Sequence, residues 1–364
     1  MENDNFKVFK SLQKYMKAVR CWPREEENFS SMFIIKAMFP IIVFSTPILL
    51  GMAGHLYKSI SVSLMSDFSE KYWSNAINDL FFLLDYIMFT ICGMIFFNYV
   101  KKLQDIMQEF ARHKYGIPKN FEKLNTKLDK MTNMIYYYTT LAPCCFLPFW
   151  CIWEKNCLSK KDSEGRVIQG YVKGLTCPAW FPFDSESIPW RLPIFISNVI
   201  TWIYYGPNLS CPIIIVYGFV KLTVDRLEHL ADILKDIDFL DMNQELTQKK
   251  FRLCMKYYSE IILLWKDVNN VIGLVFAPTQ NGTMALILGL LEYGIIVHEQ
   301  LTIHVYDIPW YEMNTTVRND YKLFHALVQK TLQLKIEPNN RLNMVYYSMV
   351  MKGAYSLMMY LTNF

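Results

Sequence analysis

The chain has 364 residues, of which 52% are hydrophobic and 16% are aromatic. This composition is too apolar for an ordinary soluble enzyme of this length, and aromatic rings are favoured at membrane interfaces. The formal net charge is only +4 and is not concentrated in one tail, so we predict no nucleic-acid partner. We expect a polytopic helical protein of the all-α class that has the lipid bilayer as its solvent.

Six apolar runs are candidates for membrane spans, because a helix needs about 20 largely apolar residues to cross a bilayer. We interpret them as parts of one membrane domain that covers residues 1–364. The runs are 33–56, 76–100, 131–153, 192–220, 268–305 and 342–362. The fifth run is either one hybrid helix or two short spans that turn at Asn281-Gly282.

Basic residues in the connections predict the orientation, because cytoplasmic loops carry more lysine and arginine than outer loops. Residues 1–30 contain six such residues and residues 101–130 contain eight, whereas the connection after the first span has only Lys58 and Lys71. The long connection 154–191 carries six basic residues, including Arg191 at its end, together with acids, which weakens the pattern without reversing it. The N-terminus is therefore predicted to be cytoplasmic.

The cytoplasmic connections carry apolar stripes at helical spacing, with charged residues on the opposite faces. The stripes are Val100, Leu103, Met107 and Phe110; Leu227, Leu230, Leu234 and Ile237; and Tyr257, Ile261, Leu264, Trp265 and Val268. We predict that the bundle extends into the cytosol as packed helices.

No catalytic, metal-binding or cofactor-binding motif is predicted. His298, Glu299 and His304 have the wrong spacing for a zinc protease, which needs two histidines four residues apart on a helix. Phosphate-binding and dinucleotide-binding glycine loops are also absent from the sequence. Cys157 and Cys177 both lie in the predicted outer loop, where a disulfide bond between them is possible.

Two acids, Asp85 and Glu292, lie inside predicted spans. A carboxylate within a membrane is costly unless it faces a cavity, a pore or a partner, so each is either functional or a hydrogen-bonded packing residue.

The outer halves of the second, third and fourth spans combine aromatic side chains with few polar groups. Such a lining suits a small apolar ligand, although helix packing or lipid contact would use the same residues. The candidate ligand-binding residues are Phe82, Tyr86, Phe146, Phe149, Trp150, Asn198, Thr201 and Trp202.

Three segments resemble signatures of the insect odorant receptors. Ala179-Trp180-Phe181-Pro182-Phe183-Asp184 is similar to a stretch of the large second extracellular loop of that family. Tyr306-Asp307-Ile308-Pro309-Trp310-Tyr311 is similar to the stretch that opens the cytoplasmic part of the last helix. Residues 353–361 are similar to the run that closes the final span, and the resemblance covers nearly the whole chain.

The resemblance implies a seven-span subunit of an odorant-gated, non-selective cation channel that forms heterotetramers with a co-receptor. It also implies a small volatile odorant as ligand, sensory transduction in olfaction, and a place in the cell membrane of a sensory neuron dendrite. By this likeness the subunit anchor would include Tyr306, Asp307, Pro309 and Trp310, and the pore would include Ser356, Met359, Tyr360 and Asn363.

One departure from the family concerns the fifth and sixth spans. Only 37 residues run from Asn269 to Val305, where the family has two spans and a loop. Two strained short spans would preserve the seven-span layout, whereas a single hybrid span would make an inactive variant that lacks a complete sixth span. A second interpretation of the chain is a gustatory-receptor-like homotetrameric ligand-gated channel, which would form without a co-receptor.

Overall fold

The structure is a computed structural model that describes residues 8–18, 22–23, 31–65, 70–141, 179–181, 188–239, 244–275, 284–330, 335–336, 340–341, 348 and 352. The helices within these ranges are α1 (Lys10–Ala18), α2 (Ser31–Met65), α3 (Glu70–Ala111), α4 (Phe121–Tyr136), α5 (Ile188–Lys235), α6 (Gln244–Val275), α7 (Met284–Tyr306) and α8 (Thr315–Val328). A π-helical turn, Tyr137–Leu141, continues α4. A short antiparallel pair joins β1 (Lys335–Ile336) to β2 (Asn340–Arg341), with Lys335 opposite Arg341. The predicted all-α class is confirmed.

The chain folds into two compact units. One, which we call the anchor unit, comprises Met1–Lys10, Lys101–Met131 and Pro212–Asn363. The other, which we call the bundle unit, comprises Ser11–Val100, Thr132–Cys211 and Phe364. The long helices α3 and α5 each contribute residues to both units.

Helix α2 has the length and composition of a membrane span. Its segment Met32–Ser61 has a mean hydropathy of 2.1 over its most apolar stretch, and within the described residues it alone meets both criteria. A shorter apolar segment, Leu192–Tyr204, lies in α5. Large apolar side chains of α2, such as Ile35 and Phe39, are exposed, which is typical of a helix that faces lipid.

The three predicted cytoplasmic stripes are buried, as their periodicity indicates. Val100 and Leu103 are fully buried in α3, Leu230 is fully buried in α5, and Val268 is fully buried in α6. Helix α3 continues without a break to Ala111, and α5 continues to Lys235. The prediction that these connections are packed helices is confirmed, because each apolar stripe lies against another element rather than against water.

Within the fifth predicted run, α6 ends at Val275 and α7 begins at Met284. The Tyr258 hydroxyl of α6 and Nε2 of His298 of α7 share a hydrogen bond of 2.9 Å. Two helices that are joined by so short a connection can meet at these positions only if α7 turns back along α6. The two helices therefore form an antiparallel hairpin within the anchor unit.

Helix α8 packs on this hairpin through aromatic rings. The Phe324 ring meets those of Phe251 and Tyr258 edge-on, each at a centroid distance of 5.5 Å. Thr302 of α7 donates a hydrogen bond to the Val328 carbonyl at the end of α8. Edge-to-face ring pairs contribute about 0.5–1.5 kcal/mol each beyond their buried area, so this cluster holds the three helices together.

Candidate ligand site and subunit contact surface

In the bundle unit, α5 is joined to α2 by two hydroxyl groups that share one acceptor. Ser197 and Thr201 donate hydrogen bonds to the Phe44 carbonyl, at 2.7 and 2.9 Å. The acceptor lies in the turn that precedes Pro47, and a proline within a helix removes one backbone donor and displaces the carbonyls of that turn. Side-chain hydroxyls of a neighbouring helix can satisfy such carbonyls in an apolar environment.

A buried polar cluster joins α2 to α3. One carboxylate oxygen of Asp79, Oδ2, lies 2.7 Å from Nδ1 of His55 and accepts a hydrogen bond of 2.7 Å from the Ser59 hydroxyl. Asp79 and His55 are both almost fully buried. A carboxylate can be buried at moderate cost only when polar partners replace its water, which this pair of contacts does.

The described part of the predicted outer-loop motif, residues 179–181, rests on α2 against two glycines. The Trp180 backbone N–H donates to the Gly51 carbonyl at 2.8 Å, and Ala179 and Phe181 are buried with Ile194 of α5. A side chain at Gly54 would place its Cβ only 2.7 Å from the Trp180 carbonyl oxygen. The loop backbone can approach this closely because neither glycine carries a Cβ.

In the anchor unit, the Arg318 side chain stabilises the turn between α7 and α8. Its guanidinium donates to the carbonyls of Trp310, Tyr311 and Met313. The Asn314 side chain caps α8 by accepting a hydrogen bond of 2.8 Å from the Val317 backbone N–H. These bonds fix the backbone of the turn and so fix the directions of its side chains.

The outward face of this turn is aromatic. Tyr306, Trp310 and Tyr311 are 66%, 40% and 63% exposed, and the Trp310 ring also stacks on Tyr321 at a centroid distance of 6.4 Å. Tyrosine and tryptophan held rigidly at a surface are the side chains that dominate binding in protein interfaces. The face formed by residues 306–311 is therefore suited to contact another protein.

Comparison with solved structures extends over the whole chain. The insect olfactory receptor OR5 from Machilis hrabei matches with a TM-score of 0.53 and 13% sequence identity, over 96% of this chain and 97% of that chain. The structure of the same receptor in complex with eugenol matches with a TM-score of 0.57 and 14% identity, over 99% and 100% of the two chains. The chain has the insect olfactory receptor fold. No protein-family model matches its sequence, and no curated protein sequence does.

The predicted ligand residues that the structure describes lie on α3 and α5. Asn198 and Thr201 lie nearly one helical turn apart on the buried face of α5, and the Thr201 hydroxyl donates its hydrogen bond to the Phe44 carbonyl. Trp202 and Tyr86 are half-buried, on α5 and α3 respectively. Phe146, Phe149 and Trp150, and the side chain of Phe82, lie outside the described part of the structure.

Among the residues predicted for the subunit anchor, Tyr306, Asp307 and Trp310 are exposed on the turn and Pro309 is half-buried. The predicted pore residues Ser356, Met359, Tyr360 and Asn363 lie outside the described residues, as do the side chains of Asp85 and Glu292. The predicted Cys157–Cys177 pair also lies outside them.

Sequence reasoning missed the His55–Asp79 pair. The only signal was Asp79 itself, a second acid beside Asp85 within the predicted second span. Its partner could not be identified from the sequence, because His55 lies 24 residues away on another helix. The docking of Trp180 on α2 was missed for the same reason.

Proposed function

We propose that the chain is an odorant receptor, a subunit of an odorant-gated, non-selective cation channel that acts with a co-receptor in the perception of smell. The observation that carries the proposal is the likeness of nearly the entire fold to the insect olfactory receptor OR5. One of the two matched structures is a complex with eugenol, a small organic molecule, which supports a small volatile odorant as the ligand of this chain.

The proposed location is the cell membrane, with several spans and a cytoplasmic N-terminus. The apolar, outward-facing side chains of α2 support insertion into lipid, and the basic residues of 1–30 and 101–130 support the orientation. The α6–α7 hairpin returns Tyr306 to the side where α6 begins, which favours two separate passes over one hybrid span. The proposed location in the dendrite of a sensory neuron rests on the family resemblance of the sequence motifs.

The proposed odorant site lies in the outer half of the bundle unit. Tyr86, Asn198 and Trp202 would line it with Phe82, Phe146, Phe149 and Trp150, and Thr201 would position α5 against α2. Binding would open the pore only if the odorant has a higher affinity for the open than for the closed state. The pore itself would be lined by Ser356, Met359, Tyr360 and Asn363.

The aromatic face at residues 306–311 is the proposed contact with neighbouring subunits. Trp310→Ala is expected to lower the fraction of chain that co-purifies with the co-receptor, because a truncated aromatic anchor typically costs about 2 kcal/mol or more in an interface. Trp190→Ala removes a tryptophan of the bundle unit that is 54% exposed, against 40% for Trp310, and is the matched control. Equal recovery of the co-receptor with both variants would exclude Trp310 from the contact.

The function is tested by expressing the chain in oocytes with an insect olfactory co-receptor and applying a broad odorant panel that includes eugenol. An inward current that requires both subunits and the odorant is expected. The co-receptor alone is the control for currents that the co-receptor carries by itself. Surface-expressed chain that assembles with the co-receptor and gives no odorant-evoked current over the panel would contradict the proposal.

A further inference from the structure

Helix α4 carries a row of lysines on the face opposite its buried side. Lys123, Lys127 and Lys130 are exposed at spacings of four and three residues, so they form one stripe along the helix. Phe121 and Leu128 define the buried face on the other side. We call these three lysines the α4 lysine stripe.

Among the described residues, the α4 lysine stripe differs from neighbouring cations in having no acidic partner. In the same unit Lys119 pairs with Asp232 at 3.0 Å, and Lys114 lies between Glu109 and Glu260 at 3.5 and 3.4 Å. None of the three stripe lysines forms an ion pair with an acid in the part of the chain that the structure describes. The acids of α4, Glu122 and Asp129, lie roughly a quarter turn or more around the helix.

A fourth lysine adds positive charge from the neighbouring helix. Burial lowers the pKa of Lys221 of α5, repulsion by the Lys127 ammonium lowers it further, and the Glu228 carboxylate opposes both effects. Lys127 and Lys221 are therefore close enough to repel one another across the two helices.

The sequence places this positive charge at one level of the proposed membrane. Lys130 directly precedes the predicted span 131–153, and Lys221 directly follows the predicted span 192–220. The ends of two different predicted spans thus lie next to Lys130 and Lys221. In the proposed orientation this level is the cytoplasmic surface of the bilayer, where anionic lipids are concentrated.

We propose that the α4 lysine stripe binds anionic phospholipid headgroups of the cytoplasmic leaflet. The proposal rests on the membrane orientation given under the proposed function, and it adds a lipid class that the receptor recognises. Each lysine near an anionic surface contributes about a fivefold preference, and the effect fades beyond about 10 Å in physiological salt. Bound headgroups would hold α4 at the membrane surface where it enters the third span.

The test uses the full chain reconstituted into phosphatidylcholine vesicles that contain a trace of dansyl-labelled phosphatidylserine or dansyl-labelled phosphatidylcholine. Energy transfer from the tryptophans to each dansyl lipid measures its enrichment around the protein. We expect the native chain to enrich phosphatidylserine and to lose this preference in high salt. The triple variant K123Q/K127Q/K130Q is expected to lose about tenfold or more of the preference.

The matched control is K249Q/K250Q/K256Q, which removes the same charge from exposed positions of α6. Lys256 precedes Val268, where the fifth predicted run begins, by 12 residues of continuous helix, or about 18 Å, which is beyond the range of electrostatic attraction in salt. The control variant should keep the native preference. Equal preference in the native chain and the stripe variant would overturn the proposal, and so would equal losses in both variants.

Failure of the lysine proposal is separable from failure of the proposed function. Alkaline extraction of the same vesicles reports whether the chain is embedded in the membrane at all. An embedded chain without a phosphatidylserine preference contradicts only the lipid contact. A chain released by alkali contradicts the membrane orientation on which both proposals depend.

Discussion

At the scale of single residues, the two glycines of α2 decide whether the outer-loop motif can dock. The Trp180 backbone approaches Gly54 so closely that any side chain there would overlap the carbonyl oxygen. At Gly51 a Cβ would meet the ends of the Phe181 and Ala179 side chains. The contact at Gly54 tolerates a side chain less well than the contact at Gly51, because the Trp180 carbonyl belongs to the backbone and cannot move aside as the Phe181 ring can.

Gly54→Ala is therefore expected to displace the Trp180 segment and to lower stability by about 1–3 kcal/mol. The fluorescence-detected melting temperature of the purified chain measures the change. Gly294→Ala is the matched control, because its Cβ would meet Val220 at an ordinary contact distance of 3.7 Å. That control should be neutral or slightly stabilising, since alanine favours helix over glycine. Unchanged melting of Gly54→Ala would show that the loop does not lie on α2.

A second residue-scale feature is the buried acid of α5. Burial raises the pKa of Asp225 to about 6, with a smaller upward contribution from Glu228 and an opposing one from Arg226. Its Oδ2 atom has no hydrogen-bond partner among the described residues. Because the folded-state pKa is raised, the contribution of this group to stability is full below its unfolded pKa and is lost as the pH rises through about 6.

Asp225→Asn is thus expected to stabilise the chain at pH 8 by about 1–3 kcal/mol, to keep roughly half of this advantage at pH 5 and to lose most of it near pH 4. Melting temperatures of both proteins across this pH range measure the difference. Glu228→Gln, at an exposed position of the same helix, should show a much smaller dependence. A constant difference between Asp225→Asn and the native chain at all pH values would contradict the assignment of a buried charge.

At the scale of elements, the end of α3 depends on a side chain from α5. The Arg226 guanidinium donates hydrogen bonds to the carbonyls of Glu109 and Phe110 in the last turn of α3 and to that of Arg112, which follows the helix. The last carbonyls of a helix generally need such donors from outside it. It also lies 5.1 Å from the Phe110 ring centroid. A cation at a helix C-terminus is favoured by the helix dipole, so one residue both caps α3 and joins it to α5.

Arg226→Leu is expected to destabilise the chain by about 3 kcal/mol or more, because it leaves buried carbonyl groups without donors. Arg252→Gln provides the contrast, since Arg252 is largely exposed in its pair with the half-buried Asp320 and surface pairs contribute about 0–1 kcal/mol. Thermal unfolding of both variants tests the comparison. Similar losses for the two arginines would mean that the α3 end is satisfied in another way.

Element boundaries also explain how the short fifth run can be accommodated. Helix α7 has 23 residues and is by itself about 35 Å long, enough to cross a hydrocarbon core. Helix α6 brings only Val268–Val275 of the apolar run before it ends. Most of the fifth predicted run within the described residues thus lies in α7.

At the scale of the whole molecule, the proposed topology places the N-terminus and the turn at residues 306–311 on the same side. A glycosylation tag inserted near Tyr311 should remain unmodified in microsomes. Tags within 160–170 and at the C-terminus should be modified, because seven spans place both outside. The native Asn314-Thr315-Thr316 sequence is a further acceptor that should remain unmodified. A modified Tyr311 tag with an unmodified C-terminus would mean six spans and an inactive variant.

Periodicity was sufficient to predict the all-α class and the burial of the cytoplasmic stripes. Each stripe is a local pattern, repeated along one helix, and the apolar face of such a helix must pack whatever its neighbours are. Leu230 and Val268 are buried for this reason. The resemblance in residues 306–311 indicated the start of a helix, whereas the structure has a turn there whose Tyr306, Trp310 and Tyr311 side chains are exposed.

What the sequence by itself determined is therefore local: helical segments, apolar faces, charge asymmetry and short motifs. The tertiary structure alone decided that Asp79 meets His55, that Trp180 lies on Gly51 and Gly54, and that α7 turns back along α6. These contacts join residues far apart in the chain, and many partners of suitable chemistry were available to each. The packing of whole helices selects among those partners, and no pattern within one helix encodes that selection.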